Sequence, residues 1–289
     1  MKPLRYAWNT NGSTYHRLPD IIELIAEAGY DGLALTLDWH HLDPFALNWE
    51  ANTRKLRQKL DDHNLGCIIK TNVPYLLNPR KKNEPSLVYP EDEGRALRIR
   101  FLRRAVDIAA RLNAEAVSFQ SGKPYPDLPI TTAYQYLKDG INELQEYAQE
   151  QSVIIALEPE PGMLIETNRD YEMMSNSLNH PLFLALNAGH VWATGEMSPE
   201  EAIRSYAGQC GTAAIEGMNQ GVHEHLPLHQ GDMDVASAVN QFQLSGFNKL
   251  ISVELSQESH RAHRAIVETI HTLRNLEQYN QSAGQNQSV

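Results

Sequence analysis

The feature that most constrains this chain is a repeated change of hydrophobic period. A short apolar run suited to a buried strand gives way to a stretch with an apolar stripe at helical spacing, and the exchange recurs eight times. The runs fall at residues 4–8, 33–37, 66–70, 116–119, 153–157, 182–186, 212–215 and 250–253. Between them lie helical stripes such as Leu18, Ile21, Ile22, Ile25 and Ala28, or Leu102, Ala105, Val106, Ala109 and Leu112 in a helix predicted over 91–112. The run Val153-Ile154-Ile155-Ala156-Leu157 is apolar without interruption, as a strand in a parallel sheet covered on both faces must be.

Eight alternations without an internal linker predict a single α/β domain, a (β/α)8 barrel over residues 1–279, in preference to two doubly wound domains. The chain length of 289 residues and a hydrophobic content of 42% supply core enough for it. Residues 280–289 are rich in Gln, Asn, Ser and Gly, and are expected to form a disordered polar tail. No apolar run reaches the ~18 residues of a membrane span, and the first residues lack the apolar stretch of a signal peptide, so a cytoplasmic location without membrane attachment is expected. Cys67 and Cys210 are the only cysteines and are far apart, which argues against a disulfide framework and leaves any metal to His, Asp, Glu or Asn. With 25 basic against 36 acidic residues the net charge is −11, unfavourable for a broad nucleic-acid face. The arginines at 95, 98, 100, 103 and 104 read as a solvated helix face.

In such a barrel the chemistry sits at the carboxyl ends of the strands. The polar residues there are Asn9; Asp38, His40 and His41; Thr71 and Asn72; Gln120; Glu158 and Glu160; Asn187 and His190; Glu216; and Glu254. Glu158 follows the most apolar strand and lies beside Pro159, whose ring restricts the backbone, and Glu254 ends the last strand. Two facing carboxylates can bind one divalent ion or act as acid and base on a substrate. His223 and His225 form an HxH pair that points both rings to one side in an extended segment, and His190 follows the sixth strand. Asp234 reads as the N-cap of the helix after it. No GxGxxG with a strand-matched acid, no GxxxxGK[ST] and no GxSxG occurs, so dinucleotide, P-loop and serine-hydrolase chemistry lack support.

Four segments together resemble the xylose-isomerase-like barrels, a group of sugar isomerases and epimerases to which apurinic endonuclease family 2 is more distantly related. They are Leu157-Glu158-Pro159-Glu160-Pro161-Gly162, Leu186-Asn187-Ala188-Gly189-His190, Glu216-Gly217-Met218 leading to His223-Glu224-His225, and Val253-Glu254-Leu255-Ser256. The resemblance spans residues 4–275. It implies a divalent-metal set of Glu, Asp, His and Glu after strands five to eight, of which this chain keeps Glu158 and Glu254. The aspartate position falls on Asn187, the histidine position on Ala214, and a further acid on Gly217. The endonuclease branch implies a zinc held at positions matching His190, His223 and His225, while its histidines after strands three and four correspond to Asn72 and Gln120.

The expected activity is isomerisation or epimerisation of a small sugar-like polyhydroxy carbonyl compound, with Glu158 and Glu254 as the proton-transfer pair. Trp8 is expected to wall the substrate site, with Asn72, Gln120, Glu160 and Asn187 as polar contacts. A zinc or manganese ion is expected on His190, His223 and His225 with charge from Glu158 or Glu254. The alternatives are a catalytically degenerate metabolite-binding barrel, motivated by Asn187 and Ala214, and a metal-dependent phosphodiesterase of the endonuclease type. A homo-oligomer is left open.

Overall fold

Parallel strands have both faces buried, and here the apolar runs become β1 (Arg5–Asn9), β2 (Gly32–Thr36), β3 (Gly66–Lys70), β4 (Val117–Phe119), β5 (Ile155–Leu157), β6 (Phe183–Asn187), β7 (Cys210–Ile215) and, last in the barrel, β10 (Leu250–Val253). In the computed structural model, which describes residues 2–286, these eight strands close into a parallel barrel ordered β1-β10-β7-β6-β5-β4-β3-β2. Closure runs through both neighbours of β1: Arg5 to Trp8 pair with Leu250 to Val253, and Ala7 to Asn9 with Gly32 to Ala34. A two-stranded antiparallel hairpin, β8 (Gly217–Asn219) and β9 (Val222–Leu226), is inserted after β7. The predicted single barrel is the observed fold.

The helices form the outer layer: α1 (Leu18–Ala28), α2 (Trp49–Asp62), α3 (Asp92–Leu112), α4 (Ile130–Glu150), α5 (Asn168–Ser177), α6 (Ala188–Thr194), α7 (Pro199–Tyr206), α8 (Val235–Leu244) and α9 (Ala262–Asn286). Short polar helices are pinned by their first turns. Thr167 and Ser198 complete capping boxes at α5 and α7, and Asp234 accepts from the Ser237 amide at α8, as expected of an N-cap. Helix α9 continues to Asn286, well into the segment read from its composition as a disordered tail; Glu277, three residues before that segment, accepts from the Leu4 amide at 2.8 Å and from Arg274 at 2.9 Å. That anchor ties the helix to β1. Residues 287–289 lie outside the described residues. Among the described residues no helix is long and apolar enough to cross a membrane.

Within each strand the side chains alternate between the barrel interior and the helix layer. Ala7, Ala34, Ile68 and Leu250, from four adjacent strands, form a small cluster separate from the large core between barrel and helices. Two residues further along the same strands stand Asn9, Thr36, Lys70 and Ser252, all buried. The interior is thus apolar below and polar above, and the polar layer leads into the mouth.

The packing corrects two expectations. Trp8 lies between Ala7 and Asn9 and faces the helices: it is fully buried, its ring meets Tyr30 edge-on, and its indole N–H donates to Ser13 Oγ at 2.8 Å. It is a core residue and not a wall of the mouth. Arg98 on α3 is also buried, its guanidinium donating to the carbonyls of Pro85 and Asn83, so this member of the arginine group fastens a loop instead of facing solvent. Replacing Trp8 by Ala is expected to remove about 3–5 kcal/mol of stability, read from urea denaturation, whereas Trp8→Phe should retain more than half of that.

Candidate functional site

The strand ends open into a cavity of about 820 Å³ whose lining includes Lys70, Asn72, Gln120, Glu158, Glu160, His190, His223, His225 and Glu254. Its polar groups divide into a carboxylate half and an imidazole half.

The carboxylate half is organised by Lys70, the last residue of β3. Its Nζ stands 2.8 Å from Glu158 Oε2 and 2.6 Å from Glu254 Oε1, with all three side chains buried. Glu158 Oε2 also accepts from Ser118 Oγ at 2.7 Å and from the Gln120 amide at 3.2 Å, and Oε1 from the Asn187 amide at 3.4 Å. Burial alone would raise the Glu158 pKa, but the Lys70 ammonium outweighs it and holds the group at about 2. Burial would likewise deprotonate Lys70, and the two carboxylates reverse that, raising its pKa. Lys70 and Glu158 are therefore ionised together. Glu160, two residues beyond Glu158, has no such cation: its Oε2 accepts from the Asn72 amide at 3.1 Å, and burial, reinforced by the charges on Glu158 and Glu254, pushes it up to about 8.

The imidazole half is built by the hairpin and by α6. Asn187 caps α6 by accepting from the His190 amide, which fixes the start of the helix and hence the ring of His190. His190 Nδ1 lies 2.9 Å from the Pro159 carbonyl, which accepts its N–H and leaves Nε2 with a free lone pair. That Nε2 faces His223 Nε2 at 3.1 Å. On β9 the alternation puts His223 and His225 on one side, while Glu224 accepts from Gln257. One nitrogen from each of the three rings lies within 4.8 Å of the others. Burial lowers all three pKa values, to about 3 for His190 and about 4 for His223, so the rings are neutral at pH 7.

Below this trio lies Glu216, fully buried, one residue beyond the end of β7. Val253 pairs with Ile215, so Glu216 is level with Glu254 across the ladder, and Ala214 sits one layer lower. Neither Glu216 oxygen makes a hydrogen bond of good geometry; His225 Nδ1, itself unpaired, stands 3.6 Å away. Burial and the Glu254 and Glu158 charges raise its pKa well above the carboxylate range. Space for it depends on Gly189, where a Cβ would come within 2.2 Å of Glu216 Oε1.

Of the residues singled out in the sequence, Asn72, Gln120, Glu158, Glu160, Asn187, His190, His223, His225 and Glu254 converge on this mouth, and Trp8 does not. Asp38 is used locally, accepting from the amides of His40 and His41 and from the His41 ring. Sequence reasoning passed over Lys70 and gave Glu216 no role. Both carry a signal in the two-residue period: a lysine two positions after the inward Ile68, and an acid two positions after the inward Ala214.

The raised pKa of Glu160 sets a pH dependence. A carboxyl with folded pKa about 8 contributes fully below the unfolded carboxyl range near 4.5 and loses its contribution as pH rises through 8. Urea denaturation from pH 5 to pH 9 is expected to show Glu160→Gln gaining on the native protein up to about pH 8 and levelling off above it. A constant difference between the two would contradict the assignment.

The fold and the site can be set beside known proteins. The model of the xylose isomerase-like TIM barrel family matches residues 22–276. Similar solved structures include a D-tagatose 3-epimerase-like protein (TM-score 0.78, 17% identity, 96% of this chain and 99% of that one). An L-ribulose 3-epimerase gives a TM-score of 0.79 at 16% identity, with 99% of each chain covered. The IOLI protein with a bound zinc atom gives 0.73 at 18% identity, covering 95% of this chain and 98% of that one. No curated protein matches this sequence. The structural likenesses, all at low identity, concern the fold, and the family model spans most of the sequence: the chain belongs to the xylose isomerase-like TIM barrel family.

Proposed function

We propose that this barrel isomerises or epimerises a small, sugar-like polyhydroxy carbonyl compound by carboxylate proton transfer. The observation that carries the reading is the pair Glu158 and Glu254, both within 2.8 Å of one lysine ammonium at the mouth of a polar cavity, with Glu160, pushed up to about 8, beside them. Carboxyl groups whose surroundings drive their pKa values apart are suited to opposite roles. An ionised carboxylate takes the proton from the carbon next to the carbonyl, the C–H electrons pass into an enediolate, and a proton returns to the same carbon on the other face or to its neighbour. Glu160 is placed to hydrogen-bond the developing oxyanion, and the amides of Asn72, Gln120 and Asn187 supply the polar contacts that hydroxyl groups need. The epimerases among the structural neighbours support the choice of substrate class.

A divalent ion belongs to this reading on the imidazole side. The 3.1 Å between His190 and His223 Nε2 is close to the ~3.3 Å separating two imidazole nitrogens bound to one tetrahedral zinc. The unpaired His225 Nδ1 and the unpaired oxygens of Glu216 add donors in need of a partner. A divalent ion bound there supplies Lewis-acid polarisation of a substrate oxygen. The carboxylate pair does not fit a metal, because Lys70 Nζ already lies between its oxygens.

The proton-transfer reading is tested by incubating a panel of ketoses and aldoses with the protein in D2O and following deuterium entry by NMR. Exchange at the carbon next to the carbonyl is expected, falling by about 10²- to 10⁴-fold in Glu158→Gln and in Glu254→Gln. Wild-type exchange rates in both variants would refute the roles, and sugar binding without any exchange would favour a metabolite-binding barrel. Metal analysis is expected to find zinc or manganese in the purified protein and its loss in His223→Ala and His225→Ala; a stoichiometric metal untouched by these changes would refute the ligand set.

A further inference from the structure

We propose that Lys70 is the resident cation of the carboxylate pair: its ammonium takes the place of a metal ion between Glu158 and Glu254 and closes that position to divalent ions. Nζ is 2.8 Å from one carboxylate and 2.6 Å from the other, both contacts buried, and these two account for two of its three N–H groups. Lysine lines the cavity, so the third is left for an oxygen of a bound ligand. A second metal could enter only by displacing a buried ammonium and leaving its charge unpaired, a cost that adds to the ion's own dehydration.

The neighbours of the pair agree. Around Glu158 the groups are neutral donors: Ser118 Oγ, the Gln120 amide and the Asn187 amide all direct hydrogens at its oxygens. Groups that donate to a carboxylate compete with a metal for the same lone pairs. The imidazoles, by contrast, keep their free nitrogens among themselves, and His190 Nδ1 is turned away to the Pro159 carbonyl. The mouth thus has one position for a fixed organic cation and another, separate, for nitrogen ligands.

The test removes the lysine and reads metal binding. In a His223→Ala/His225→Ala background, which takes the imidazole site out of play, Mn²⁺ binding is followed by calorimetry and electron spin resonance on the full chain. The Lys70-containing protein is expected to bind no Mn²⁺ at the mouth. Adding Lys70→Ala should create one Mn²⁺ site per chain, with a rise in melting temperature on Mn²⁺ addition, and Glu254→Gln should abolish both. Mn²⁺ bound in the presence of Lys70 and lost in Glu254→Gln would overturn the proposal, as would a folded Lys70→Ala protein with no gain. If Lys70→Ala does not fold, Lys70→Met fills the same volume without charge and decides by the same readings. The arm with Lys70 present is decisive in either case.

Discussion

A closed parallel barrel gives each strand one inward set of positions, spaced by two residues, and everything at the mouth follows from how those positions are filled. Below, Ala7, Ala34, Ile68 and Leu250 make an apolar plug. One step up the same strands the residues turn polar, and the next step carries the acids. Because neighbouring strands are locked by their ladders, a side chain at the top of β3 cannot avoid meeting those at the tops of β5 and β10. Lys70, Glu158 and Glu254 are held at hydrogen-bond distance by backbone they do not themselves constrain.

The charge balance in this mouth is narrow. An isolated buried carboxylate costs several kcal/mol, so two side by side need a cation. Lys70 supplies a single positive charge against two negative ones. The remaining acids respond by staying protonated: Glu160 and Glu216 feel the surplus negative charge as well as their own burial, and both are displaced upward. The protonation of Glu160 and Glu216 is thus the electrostatic counterpart of the charge gathered around Lys70. Removing any one of the five groups changes the state of the rest, and single substitutions here will not act additively.

Much of this was legible in the sequence, for physical reasons that can be named. Strands buried on both faces write themselves as apolar runs, so all eight barrel strands are legible, with ends shifted by one or two residues everywhere except at β3 and β10. The acids and histidines at strand ends were found because the fold places chemistry there. The hairpin was read only as an extended loop, since β8 and β9 are short and partly exposed and carry no apolar alternation of their own. Helices α5 and α6 are held by caps, Asn187 among them, more than by apolar stripes. Lys70 escaped notice because a lysine closing a strand ordinarily marks the approach to solvent, and only the closed barrel turns it inward. Ala214 was matched to a ligand position by linear comparison, whereas the register makes Glu216 the residue level with Glu254.

The two halves of the mouth differ in how they are held. The carboxylate half rides on barrel strands paired on both sides. Two of the three histidines ride on β9, whose ladder partner is the short β8, outside the barrel sheet. Opening the hairpin leaves every barrel ladder in place, while disturbing Lys70 means opening the barrel. Amide exchange along this chain should therefore run on two clocks, a faster one for the hairpin that carries His223 and His225 and a slower one for the strands that carry the charged floor.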